Sequence, residues 1–162
     1  MQVRNGVCPP APSSRTCITI DAPTVRGVLG RDTTICRGQA PNALTLTGSV
    51  ATTRIWQSSA DCAGFSSPQN VANNVLTYAP GALNATTCYR VVVQNGVCLP
   101  ETTNTVRITV DAPSVGGALR PDTTVCSGFQ ANLTLTGHTG LIQRWEGART
   151  NAFASPTPIN VQ

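Results

Sequence analysis

Seven cysteines, Cys8, Cys17, Cys36, Cys62, Cys88, Cys98 and Cys126, are the residues best placed to do chemistry in this chain, and the chemistry they suit is disulfide formation. No two of them form a Cys-x-x-Cys pair and a single histidine accompanies them, so the clustered ligands of a structural zinc site are missing; neither a metal nor another cofactor is expected. His138 is the one imidazole available as a base. It lies in the turn Gly137-His138-Thr139-Gly140, and Ser49 takes its place earlier in the chain. The seven acids are scattered, with no two spaced to flank a scissile bond, and no nucleophile-elbow, Walker or dinucleotide-binding string occurs. Enzymatic activity is therefore not expected. Nor is nucleic-acid binding, because the 11 arginines are dispersed and both tryptophans read as core.

The elements that would position the cysteines follow from composition and repetition. Only 11% of the 162 residues are charged and 4% aromatic, no lysine occurs, and threonine is the commonest polar residue at 23 copies. Threonine favours strands, and the residues that fill exposed helix faces are scarce, so the fold class expected is all-β. No apolar run is long enough to span a bilayer, and the amino-terminal residues lack the apolar stretch of a secretory signal. A cysteine-rich, extracellular type of composition without an export signal is expected of a piece of something longer.

Residues 3–42 align without a gap on residues 93–132, with 20 of 40 positions identical. The shared text runs through Asn-Gly-Val-Cys, Asp-Ala-Pro and Asp-Thr-Thr, placing Cys8 on Cys98 and Cys36 on Cys126; after the loss of one residue it continues to Trp56 opposite Trp145. A period near 90 suits an immunoglobulin-type sandwich. The expected organisation is residues 1–21 as the carboxy-terminal strands of one unit, 22–113 as a complete immunoglobulin-like unit, and 114–162 as the amino-terminal half of the next. Within the complete unit, alternation and turn residues predict strands at 25–29, 33–36, 43–47, 54–57, 74–78, 87–94 and 106–110. The stretch 58–70 reads as a long loop, Asn95-Gly96 as the hairpin turn, and Asp111-Ala112-Pro113 as the joint between units. Together these predict a Greek-key β-sandwich.

Four cysteines fall within the complete unit, which allows three pairings. Cys36 and Cys98 recur in the repeat and Cys62 does not, so Cys36 with Cys98 and Cys62 with Cys88 is the expected set. Cys8 and Cys126 are then halves of bridges whose partners lie outside the chain, and Cys17 is left over. Two other arrangements stay open: Cys8 with Cys17 across a local hairpin, and Cys126 of one chain with Cys8 of the next in a head-to-tail filament. Arg54, two residues before Trp56, is expected to cover the indole ring. The 58–70 loop is the candidate ligand surface, and Phe65, Tyr78 and Phe153 are the aromatics left for a carbohydrate.

The series Asp-Thr-Thr-Val-Cys-Ser-Gly at 122–128, Leu-Thr-Leu-Thr-Gly-His-Thr-Gly at 133–140 and Thr-Thr-Cys-Tyr-Arg-Val-Val-Val-Gln-Asn-Gly-Val-Cys at 86–98 resembles the tandem immunoglobulin-like repeats of giant surface proteins and gliding-motility adhesins of Bacteroidota. The first unit departs from that pattern at Arg26 and at Ser49, Val50 and Ala51. The resemblance implies a non-enzymatic structural or adhesive segment, a stalk or fibre on a bacterial surface, exported by a type IX route. It also implies pairing of the Cys36 and Cys98 types, and O-glycosylation at Thr33 and Thr123, each preceded by Asp. The partners expected are neighbouring repeats or identical chains and surface glycans, with no membrane span. The alternative is a carbohydrate- or surface-binding module, or a filament subunit completed by its neighbour.

Overall fold

The structure, a computed structural model, describes residues 1–120, 122–149 and 157–159. Every regular element in it is a strand: β1 (Gln2–Val3), β2 (Ala11–Pro12), β3 (Thr33–Cys36), β4 (Leu44–Thr45), β5 (Thr53–Ser59), β6 (Gln69–Asn73), β7 (Thr77–Tyr78), β8 (Thr87–Gln94), β9 (Glu101–Thr102), β10 (Val106–Asp111), β11 (Ala118–Leu119), β12 (Leu135–Thr136), β13 (Trp145–Gly147) and β14 (Thr157–Ile159). The all-β class is thus what the composition predicts. The chain divides into two compact units, Met1–Val110 and Asp111–Gln162.

In the first unit the main sheet has the order β3-β10-β8-β5-β6, and β9 pairs with β8 on the side that β10 occupies further along. The central strand β8 alternates as a half-buried strand must: Tyr89, Val91 and Val93 point into the core, together with Trp56 of β5 and Val106 and Ile108 of β10. The β4-β7 pair lies over this face and supplies Leu44, with Leu46 just beyond it and Tyr78 packed alongside. The layers meet at an aromatic stack, with Tyr78 ring centroids 5.6 Å from Trp56 and 5.8 Å from Tyr89. The buried indole Nε1 donates to Val75 O at 2.9 Å, so the largest core side chain leaves no polar atom unpaired. Burial pushes the Tyr89 phenol up to about 12, with Tyr78 adding to the effect.

Several expected boundaries shift. The 58–70 stretch is not one long loop, because β5 continues to Ser59 and polar β6 begins at Gln69 along its edge. The strand expected at 74–78 is reduced to Thr77–Tyr78, since Asn74 turns with φ 56° and its side chain caps Arg54 N at 2.9 Å. The segment 25–29 makes two isolated bridges, Val25 to Val50 and Val28 to Thr47, interrupted by Gly27 at φ 71°. A Cβ at Gly27 would lie 2.5 Å from Thr47 O, so this crossing admits only glycine.

The repeat seen in sequence is also a repeat of geometry. The β1-β2 register, Gln2 with Pro12 and Val3 with Ala11, is the β8-β9 register, Val92 with Thr102 and Val93 with Glu101, moved by one period. In the second unit the bridge of Val115 to Thr139 and the pairing of Ala118 with Thr136 repeat Val25 to Val50 and Val28 to Thr47. Gly117 there has φ 72° and the same 2.5 Å approach, to Thr136 O. Trp145 begins β13, which pairs with β14 as β5 pairs with β6.

Candidate functional site

Two places bring the sequence-predicted residues together: the loop after β5 and the turn after β8. Cys62 and Cys88 form a disulfide with Cα atoms 5.4 Å apart, one of the two bridges expected. Cys88 faces away from the main core yet is fully buried, because the bridged loop folds back over the outer face of β8. Asp61 shapes that loop. Its Oδ1 accepts from Ala63 N at 3.1 Å and Gly64 N at 3.0 Å, and its Oδ2 accepts from the Ser66 hydroxyl at 2.7 Å and from Ser66 N at 3.3 Å. Donors from Gly64 and then Ser66 hold the carboxyl down at about 2. The turn carries Phe65 at φ 49° onto the sheet, where it is 6% exposed beneath Arg90, whose guanidinium carbon lies 4.1 Å from the ring centroid. Arg90 Nε donates to Gln57 Oε1 at 3.0 Å, and Gln57 Nε2 to Asn70 Oδ1 at 3.2 Å, which extends the polar cover to β6.

This arrangement corrects two expectations. Phe65 is not a free aromatic for a ligand but the inner face of a cation-π contact. The arginine that covers an aromatic ring is Arg90 over Phe65 rather than Arg54 over Trp56; Arg54 Nε is buried without a hydrogen-bond partner. Tyr78 is half-buried in the core stack, and Phe153 lies outside the described residues. Asp61 and Arg90 were missed by sequence reasoning, although an acid placed directly before a loop cysteine and followed by Ala-Gly is a turn signal.

At the other place, the Asn95-Gly96 turn after β8 holds the chain that leads in. Asp21 Oδ2 accepts from Val97 N at 3.0 Å, Asn95 Nδ2 donates to Ala22 O at 2.8 Å, and Asn95 N to Thr24 Oγ1 at 3.0 Å. Gly96 sits at φ 52°, and a Cβ there would collide with the Asp21 carboxylate. Cys98 ends this turn with its Sγ 3.3 Å from Ala22 O.

The expected Cys36–Cys98 bridge is not made, and both cysteines are free. Leu29 N donates to Asn104 Oδ1 and Arg107 N to Asp32 Oδ1, contacts that advance together along both segments, so β3 runs parallel to β10 and Cys36 lies level with Asp111. Gly38 N donates to Leu83 O there, before β8 begins, whereas Cys98 follows the far end of β8. Eight residues of strand, roughly 25 Å, separate them, against the roughly 4–7 Å between Cα atoms that a disulfide spans. Cys8, Cys17 and Cys126 are also free and exposed, which leaves the local Cys8–Cys17 arrangement unformed. Thr33 and Thr123 are exposed; the Asp32 carboxylate before Thr33 holds β10 instead of its own turn. Among the described residues no three potential ligands converge to hold a metal ion, and His138 is an exposed turn residue. Among the described residues no helix is long and apolar enough to cross a membrane.

A family model described as Domain of unknown function (DUF8696) matches residues 25–112. No curated protein matches the chain.

Proposed function

We propose, for a chain that belongs to the DUF8696 family of domains over residues 25–112, that it is a non-enzymatic structural segment of an extracellular bacterial stalk or fibre, with residues 22–113 forming one immunoglobulin-like Greek-key unit of a tandem array. The observation that carries this reading is the repetition of geometry one period apart, in which β1-β2 reproduces β8-β9 and the Asp21-Ala22 segment is received by the next unit's Asn95-Gly96 turn. A turn that grips the incoming chain through three side-chain and backbone hydrogen bonds suits a unit that is held in line with its predecessor. The Cys62–Cys88 bridge supports an oxidising location. The resemblance to gliding-motility adhesins adds the bacterial surface, the type IX route and glycans at the exposed Thr33 and Thr123.

The carbohydrate-binding alternative needs an exposed aromatic platform, and the burial of Phe65 beneath Arg90 weighs against the 58–70 loop as its site. Alkylation of intact cells with a membrane-impermeant thiol reagent, followed by mass spectrometry, tests the proposal. Cys62 and Cys88 are expected to be oxidised, and the exposed thiols, where unmodified, to be labelled from outside. Free Cys62 and Cys88 in a protein shielded from the reagent would overturn it.

A further inference from the structure

We propose that Cys98 is joined by a disulfide to the Cys36-type cysteine of the preceding repeat, so that the cysteines recurring in each unit bridge successive units rather than close one unit on itself. The inference rests on the tandem-array reading above. Inside one unit Cys36 and Cys98 lie at opposite ends of β8, too far apart to meet. Each, however, flanks the same kind of joint. Cys98 Sγ lies 3.9 Å from Asp21 O and 3.3 Å from Ala22 O, on the turn that receives the incoming Asp-Ala-Pro. One period later Asp111-Ala112-Pro113 leaves the unit from the end of β10, and the strand beside it in the sheet is β3, whose last residue is Cys36.

Transferred by the repeat, the backbone of the Cys36-type residue stands one strand spacing, roughly 5 Å, from that of an Asp whose carbonyl the next unit's Cys98-type thiol already approaches. Both thiols therefore flank one joint, from the two units that meet there. Cys36 is exposed and Cys98 partly so, as two thiols awaiting partners from neighbouring units must be. Cys8 and Cys126 hold the same two positions in their own repeats. The step is a two-electron oxidation: each thiol loses its proton, a sulfur–sulfur bond forms, and a disulfide donor takes up the two electrons and two protons to become two thiols. The bridge confers on the joint what Cys62–Cys88 confers on the loop, a limit to separation under load.

The full chain with residues 24–113 duplicated in place, 1–113 followed by 24–162, supplies one complete joint. Two versions are compared in an oxidised and reduced glutathione buffer, both with Cys8, Cys17 and Cys126 replaced by Ser. The forward version keeps Cys36 of the first copy and Cys98 of the second; the reverse version keeps the other pair. Peptide mapping is expected to find the forward bridge at least about ten-fold more populated, because only there does the joint hold the thiols at high effective concentration. An intact Cys62–Cys88 bridge in both copies verifies folding, since Cys36 and Cys98 lie outside the core. Equal bridging in both versions, or none with Cys62–Cys88 intact, overturns the proposal. The array reading would survive either result, because cell-surface labelling tests it separately.

Discussion

Asp61 organises its turn through one carboxylate that accepts from Ala63, Gly64 and Ser66, and the charge matters because all these donors favour the ionised form. Its carboxyl is held at about 2, below the ordinary 3.8, so the stabilisation is complete above pH about 4 and is lost as pH falls toward 2. Protection of the Gly64 and Ser66 amides, measured against their intrinsic exchange rates at each pH, is expected to be lost over that interval, and Asp61→Ala to show the same loss of protection at pH 7. A midpoint at the ordinary carboxylate value would count against this role. Gly27 offers a second residue-scale measurement. Gly27→Ala combines a left-handed φ with a Cβ 2.5 Å from Thr47 O, and is expected to cost about 2–3 kcal/mol in denaturant unfolding. Gly38→Ala, at φ 83° with open space around it, should cost only about 1 kcal/mol of backbone strain. Equal losses at the two sites would show that the close approach at Gly27 carries no cost.

At the scale of elements, position in the repeat decides what the same residue is worth. Ile108 in β10 is fully buried, whereas its counterpart Ile18, one period earlier, is 88% exposed. Ile108→Ala is expected to lower stability by about 2–4 kcal/mol and Ile18→Ala by less than about 0.5 kcal/mol, as read from urea midpoints. A comparable loss at both would mean that the leading segment packs against the chain elsewhere. Strand β8 was legible to the residue, 87–94, because Tyr89, Val91 and Val93 alternate in a β-branched and aromatic run that only a half-buried strand explains. Strand β6 was not legible: Gln-Asn-Val-Ala-Asn carries no apolar alternation, and it is a strand because β5 offers it an edge. For the same reason Phe65 read as a loop aromatic. Its burial depends on Arg90, 25 positions later, and on a disulfide whose effect is to fold the loop back. Cys62–Cys88 could be paired by elimination once the repeat had set Cys36 and Cys98 aside. The pairing of that second couple failed because recurrence shows that two cysteines share a role, not that they share an end of the sheet.

For the whole molecule, a period of about 90 residues organises composition, cysteines and strands alike. Threonines line the outer faces of reused strands, and the Cys62–Cys88 bridge pins the loop after β5 to β8 through a cysteine, Cys62, that the repeat does not reproduce. A stalk unit built this way should resist extension through its hydrogen-bonded sheet and surrender only part of its length once it yields. The bridge encloses 26 positions of sequence, and those residues cannot be pulled out while it is intact. Single-molecule force spectroscopy on the full chain, pulled from its two ends with and without reductant, is the most direct test of a mechanical role. The expected result is one cooperative rupture for the unit containing β3 to β10, whose contour gain increases by about 9 nm when Cys62–Cys88 is reduced, at roughly 3.5 Å per residue. Extension without a cooperative rupture, or a contour gain unchanged by reduction, would contradict it.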